Sequence, residues 1–332
     1  MLQKFNAANR DILISINGKL VHRDAAAISP FDSSVQGGDA VWEGLRVYSG
    51  RIFRLIAHLD RLRSSALALA FAQIPSHDSI RAAIRETLAA NNMRDSVHIR
   101  LTLTRGVKVT SGMDPRLNQS GPTLIVLAEH KAPVYDTSGL SLITSSVRRF
   151  APDMLDPKIH HCNLIQSILA KIEANAAGAD DAVMLDSRGF VAETNATHLF
   201  AVDVHGRLLT PQCLACPEGI TRRVVLDLCA ANGIAVDVRD LSLTEFYRAR
   251  EVFCTGTMGE LAPVTTLDGR AIGDGTPGAM TAKLAALFRE VVAREAELAR
   301  QAAEERALNA ERELEELKRR FKESSSGPVP GA

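Results

Sequence analysis

The 332-residue sequence has no sustained apolar run, no net charge and no regular cysteine spacing, and each lack removes a class of protein. No stretch reaches the ~18 apolar residues of a membrane-spanning helix. The polar start MLQKFNAANRD has no signal-peptide core, so a soluble, cytoplasmic protein is expected. With 39 Lys and Arg interspersed among 39 Asp and Glu, the chain offers neither a basic surface for nucleic acid nor an acidic tail. Five cysteines, an odd number irregularly spaced, are read as reduced thiols rather than a disulfide framework. Cys213 and Cys216 form a single CxxC with no second pair or histidine pair nearby in sequence, so no metal site is expected. Glycine and proline are absent from residues 281–323, which are rich in Ala, Glu, Arg and Leu and predict one long helix.

A chain of this length can bury a large core and is expected to divide into two domains. Residues 12–16 and 18–21 flank Asn17 as a hairpin. The Gly37-Gly38 pair reads as a turn before a strand. Residues 51–70 begin as a strand and become an amphipathic helix with Leu59, Leu62, Ala66 and Leu69 on one face and Arg54 and Arg63 solvated. A second helix is predicted over 79–90. Residues 97–104 alternate as a strand, which puts His98, Arg100, Thr102 and Thr104 on one face. Residues 106–121 form a long loop of the kind that often covers a site, and 123–128 a buried strand. The segment 131–139, with Pro133 and Ser138, reads as a linker between a smaller α/β domain over 1–130 and a larger one over 140–293.

The residues most like a catalytic centre lie between 156 and 200. Over 163–175, Leu164, Ile165, Ile168, Leu169 and Ile172 recur at helical spacing, and a helix with one buried face is predicted. Residues 182–185 are a short apolar run, Ser187-Arg188-Gly189 is a turn, and Val191 and residues 198–202 read as strands with Glu193 between them. A carboxylate there, followed by Thr194, Asn195 and Thr197, is either a structural hydrogen-bonding cluster or a functional one. Further on, Gly219-Ile220-Thr221 opens a helix whose free N–H groups could hold phosphate, with Thr221 a candidate N-cap. Residues 251–263 are a strand broken at Gly256.

The segments LDPKIHHCNLIQSILAKIEAN and GFVAETNATHLF resemble those of the class IV, fold type IV pyridoxal-phosphate aminotransferases, the family of branched-chain and D-amino acid aminotransferases and aminodeoxychorismate lyase. The likeness runs through nearly all of residues 12–293, with GDAVWEGLR, HLDRL and PEGITRR in the same order. It implies a two-domain α/β (α+β) fold and a homodimer. It implies pyridoxal or pyridoxamine 5'-phosphate anchored by Arg61, Ile220, Thr221 and Thr257, with Glu193 at the ring nitrogen and Asn195 in the cofactor-binding cluster. It also places Trp42, Arg100, Met258 and Gly259 on the substrate side. Trp42 stands where the family usually has Phe, and Gly37 where an aromatic is often found. A guanidinium suits the phosphate because its planar fork of donors stays charged at every working pH.

The family's Schiff-base lysine falls three or four residues before the asparagine matched by Asn163, where this chain has His160 and Ile159. Lys158 lies five residues before Asn163 and would need a shifted backbone to serve, and Lys171 resembles a noncatalytic family lysine. His160, and less readily His161, could move a proton near neutral pH but cannot make the lysine's covalent bond. The expected activity is amino transfer between an amino acid, branched-chain in the first instance, and a 2-oxo acid, with the cofactor held with or without a covalent bond. A pyridoxal-phosphate lyase with His160 as base, or a noncatalytic binding or scaffold protein, are the alternatives. A helical extension over 294–323 carries Leu308, Leu314, Leu317 and Phe321, and contact through residues 300–323 with a partner is one reading of it. Residues 324–332 read as a flexible tail.

Overall fold

A computed structural model describes residues 3–135 and 137–325. In its first half, β1 (Leu13–Ile16) and β2 (Lys19–His22) form the expected hairpin, closed by Asn17 and Gly18 with φ of 50° and 79°. Two successive left-handed residues are what a tight hairpin turn requires, and Asn-Gly supplies them at little steric cost. The short helix α1 (Ser33–Gly37) is capped by Asp32 and ends on left-handed Gly38. Then come β3 (Ala40–Tyr48), β4 (Arg51–Ile52), α2 (Leu55–Ala68), α3 (His77–Ala90), β5 (Val97–Thr104) and β6 (Thr123–His130).

These strands make a six-stranded antiparallel sheet in the order β2-β1-β6-β5-β3-β4. Alternation decides its faces. Val41, Leu45, Val47, Val97, Ile99, Leu101 and Leu103 pack with Leu59, Leu62 and Ala66 of α2 and Ile80 and Ile84 of α3 in one core. Trp42, Gly44, His98 and Arg100 are thereby left for the opposite face, toward the second half of the chain.

The second half holds β7 (Leu140–Thr144), α4 (Ile165–Ala176), β8 (Asp181–Leu185), β9 (Val191–Thr194), β10 (His198–Val202) and β11 (Leu208–Thr210). It continues with α5 (Ile220–Ala231), β12 (Val236–Val238), α6 (Leu243–Tyr247), β13 (Glu251–Gly256), β14 (Glu260–Leu267) and β15 (Arg270–Ala271). The nine-stranded mixed sheet runs β12-β11-β10-β13-β14-β7-β8-β9, with β15 on β14. Glu193 lies inside β9 rather than between strands. One side of this sheet carries Phe200 stacked on Phe253 at 5.0 Å and packs with α5 and the last helix.

That helix, α7 (Ala279–Ser325), runs 47 residues without interruption, as the missing Gly and Pro predict. Its start packs through Leu284, Phe288 and Val292, and Phe288 meets Phe53, just beyond β4, edge-on at 5.4 Å. Arg54, expected to be solvated, pairs with Glu295 at 3.0 Å. Farther along, Leu298, Leu314 and Leu317 are exposed, while the side chains of Leu308 and Phe321 and residues 326–332 lie outside the described part. Among the described residues no helix is long and apolar enough to cross a membrane.

Two expectations are corrected. The large apolar residues of α4 do not form its buried face: Ile165, Ile168, Leu169 and Ile172 are 45–64% exposed. The helix turns Ala170 and Ala174 inward instead, against Ala182 and Met184 of β8. Small residues permit close approach to the sheet, so the branched residues point away. Thr221 is not an N-cap either; Gly219 holds that place, without a side-chain cap, and Thr221 is in the first turn.

Candidate active site

Between the two sheets lies a cavity of about 330 Å³ lined from both halves of the chain. Trp42, Gly44, His98 and Arg100 come from β3 and β5, and Arg61 from α2; β9, β10 and β13 give Glu193, His198, Thr255 and Gly256, the start of α5 gives Gly219, Ile220 and Thr221, and the turn before β14 gives Thr257, Met258 and Gly259.

His160 reaches the cavity because its segment pairs with β3 through an isolated antiparallel bridge between Val41 and His161. Trp42 N–H donates to the His160 carbonyl at 3.0 Å, and Cys162 N–H to that of Ala40 at 2.8 Å. The imidazole stacks on Trp42 at 4.3 Å, with Nδ1 2.5 Å from the Trp42 carbonyl and 3.3 Å from Glu43 Oε1. A carbonyl only accepts, so Nδ1 carries the hydrogen and Nε2 the lone pair. Burial pushes the imidazole pKa down, partly opposed by Glu43, and the ring is neutral near pH 7.

Glu43 ties this wall together. It sits in phase with Val41, Leu45 and Val47 and is fully buried, so its charge needs partners. His58 Nδ1 lies 2.7 Å away, and Arg61 grips the carboxylate with Nε at 2.8 Å and Nη2 at 2.7 Å. Burial opposes ionisation, but Arg61 and His160 outweigh it and hold the carboxyl well below its usual range. A third Arg61 donor goes to the Glu218 carbonyl at 2.8 Å, which leaves two of the five N–H groups of a guanidinium free.

On the opposite wall Glu193 Oε1 forms an ion pair with Arg149 at 2.9 Å, while Oε2 is 4.0 Å from His198 Nδ1. Burial pushes this carboxyl up to about 7 against the pull of Arg149. The Thr255 hydroxyl of the same cavity is buried without a hydrogen-bond partner among the described residues. Gly219 begins α5 where no other residue fits, since an added Cβ would stand 2.2 Å from His198 Cδ2. Gly259 is likewise pressed against Tyr135, 2.2 Å from where its Cβ would be, and its N–H closes on the Gly256 carbonyl at 3.3 Å.

Arg100 stacks 3.5 Å above the Trp42 ring and approaches Cys162 Sγ at 3.9 Å. Among the described residues no carboxylate is in ion-pair contact with it. With His98, whose imidazole burial and nearby Lys131, Arg100 and Arg46 hold down at about 3, it makes one end of the cavity a receptor for an anion.

Two sequence candidates, Lys158 and Asn195, fall outside the cavity, as does Lys171, to which no role was given. Lys158 is exposed, because residues 156–159 turn on Asp156 before pairing with β3 begins, and it lines a separate open cleft of about 800 Å³ beyond Arg61. Asn195 is held in the sheet, accepting from Ala182 N–H at 2.8 Å and donating to Asp181 at 3.0 Å. Lys171 pairs with Asp181 at 3.3 Å. Sequence reasoning missed Glu43, Tyr135 and His198. Only Glu43 carried a signal, an acid in phase with apolar residues of a strand. It also missed that β10 brings His198 beside Cys213 and Cys216.

The sequence model of the family described as amino-transferase class IV matches residues 40–267. "Branched-chain-amino-acid aminotransferase-like protein 2" of Arabidopsis thaliana is 52% identical over 284 residues, 85% of this chain and 51% of that protein, so the chain spans about half the length of this curated relative. The branched-chain-amino-acid aminotransferase of Pseudomonas aeruginosa is 34% identical over 305 residues, 86% of this chain and 94% of its own. Among solved structures, the branched-chain amino acid aminotransferase of Thermobaculum terrenum in its PLP-bound holo form superposes with a TM-score of 0.76 at 28% identity, covering 86% of this chain and 94% of that one.

Proposed function

Since the chain belongs to the class IV aminotransferase family, we propose that it is a pyridoxal-phosphate-dependent aminotransferase, passing an amino group between a branched-chain amino acid and a 2-oxo acid. The observation that carries this reading is one cavity with a phosphate-type site, a carboxyl group and an anion receptor on separate walls. The two free N–H groups of Arg61, the N-terminus of α5 at Ile220 and Thr221, and Thr257 would hold the phosphate. Glu193 Oε2 would meet the ring nitrogen: a carboxyl poised near pH 7 becomes a stable anion opposite a cation. The unpartnered Thr255 hydroxyl and the pressed Gly219 fit a group filling this space. When bound, the cofactor supplies the electron sink for bond changes at the substrate α-carbon. Arg100, with Met258 and Gly259 beside it, would orient the substrate carboxylate.

His160 is proposed to occupy the place of the family's lysine. No lysine among the described residues lines the cavity, so the cofactor would be held without a covalent bond, and His160 Nε2 would accept and return the proton. The domain limits read from sequence, 1–130 and 140–293, are proposed to correspond to the halves that meet at this cavity. A homodimer is supported by the exposed Ile165, Ile168, Leu169 and Ile172 face of α4, and a cytoplasmic location by five cysteines that are all free thiols.

The test is the absorption spectrum of protein with pyridoxal phosphate before and after borohydride, with peptide mass mapping and an assay using leucine and 2-oxoglutarate. A bound chromophore removed by dialysis, no reduced adduct, and turnover lost in His160→Ala are expected. An adduct on Lys158 would overturn the role given to His160. Absence of cofactor binding would overturn the whole reading.

A further inference from the structure

Cys213 and Cys216 sit in the connection from β11 to α5, and His198 is the first residue of β10. The two Sγ atoms and a ring nitrogen of His198 all lie within 4.8 Å of one another. Cys216 Sγ is 3.9 Å from His198 Nδ1. Tetrahedral zinc with bonds of ~2.3 Å to sulfur and ~2.0 Å to nitrogen needs S···N of roughly 3.5 Å, so a movement of a few tenths of an ångström brings Cys216 and His198 to that separation, and Cys213 Sγ closes from within 4.8 Å. We propose that Cys213, Cys216 and His198 bind a borderline-soft divalent cation of the zinc class.

The site is organised before any ion arrives. Gly219 lies against the imidazole, with no room between them for a side-chain Cβ. Arg222 anchors the same connection, donating to Thr210 Oγ1 at 3.2 Å and the Pro211 carbonyl at 2.9 Å. Two sulfurs and one imidazole select zinc over magnesium or calcium. Three protein ligands leave a fourth position, which water can fill. None of this depends on the cofactor proposed above.

The test uses untagged full-length protein, stripped with chelator under reductant and titrated anaerobically with Co²⁺, then with Zn²⁺ against a chromophoric chelator. One equivalent of Co²⁺ should give thiolate charge-transfer absorption and the strong visible bands of a tetrahedral site. Cys216→Ser and His198→Asn should each weaken Zn²⁺ binding at least ~10-fold, with circular dichroism unchanged. Cys229→Ser, a buried thiol elsewhere, should bind as wild type. The proposal is overturned if stoichiometric Co²⁺ gives no charge-transfer band. Bands surviving in the Cys213→Ser/Cys216→Ser double variant, or a Cys213–Cys216 disulfide in the untreated protein, would also overturn it.

Discussion

Glu43 shows how one buried charge can govern a wall of the site. Its carboxylate is bonded to His58 and Arg61 and close to His160, so replacing it leaves the Arg61 guanidinium without its counter-charge. Glu43→Gln is expected to lower unfolding free energy by about 3 kcal/mol in urea titrations at pH 7. Its pKa is depressed in the fold, so its stabilisation is present above the unfolded value near ~4.3 and is lost as pH falls below it. His98 acts in a different window. Its folded pKa of about 3 lies below the ordinary imidazole value, so the unfolded chain binds the extra proton first and stability declines as pH drops below ~6.5. Urea midpoints measured from pH 7 to 4.5 should therefore fall in wild type and fall less in His98→Gln. On the opposite wall, Glu193→Gln is expected to lower transaminase turnover on the order of 10²-fold, measured with saturating cofactor. At this scale the sequence disclosed residue types and some of their neighbours. It did not disclose that Lys158 would be turned outward by the Asp156 turn, or that Asn195 would be fixed by Asp181.

Helix α4 shows what periodicity tells and what it does not. Its apolar spacing is genuine, yet the stripe faces out, because periodicity identifies a face that avoids water without saying what covers it. On the proposed dimer, the Ile168→Glu/Ile172→Glu double variant should sediment as a monomer and wild type as a dimer, with the fold intact because neither side chain is in the core. An unchanged sedimentation coefficient would remove α4 from the interface. Strands and hairpins were more legible, since Asn17-Gly18 and the alternation of β5 are set by local sterics and pleat. The start of α5 was legible as a helix opening. That Gly219 must be glycine was not, because the atom it avoids belongs to His198, 21 positions earlier in the chain.

At the scale of the whole molecule, the absence of Gly and Pro indicated α7. The cavity itself was legible only through motif resemblance, because its walls come from positions 42 to 259 and gather only when both sheets form. The long helix packs early and is exposed later. Truncation after residue 299 should thus leave the melting temperature of the folded body within ~1 °C of wild type, whereas Phe288→Ala should lower stability by ~3–5 kcal/mol. A larger effect of the truncation would show that residues beyond 299 bind back to the body or to a second copy. The contact of Phe288 with Phe53, reinforced by Arg54 and Glu295, latches the half that carries β4 to the half that carries β13 and β14. Halves latched in this way resist gaping on that side, so the traffic of small molecules is expected to pass by the connecting segments at the cavity mouth.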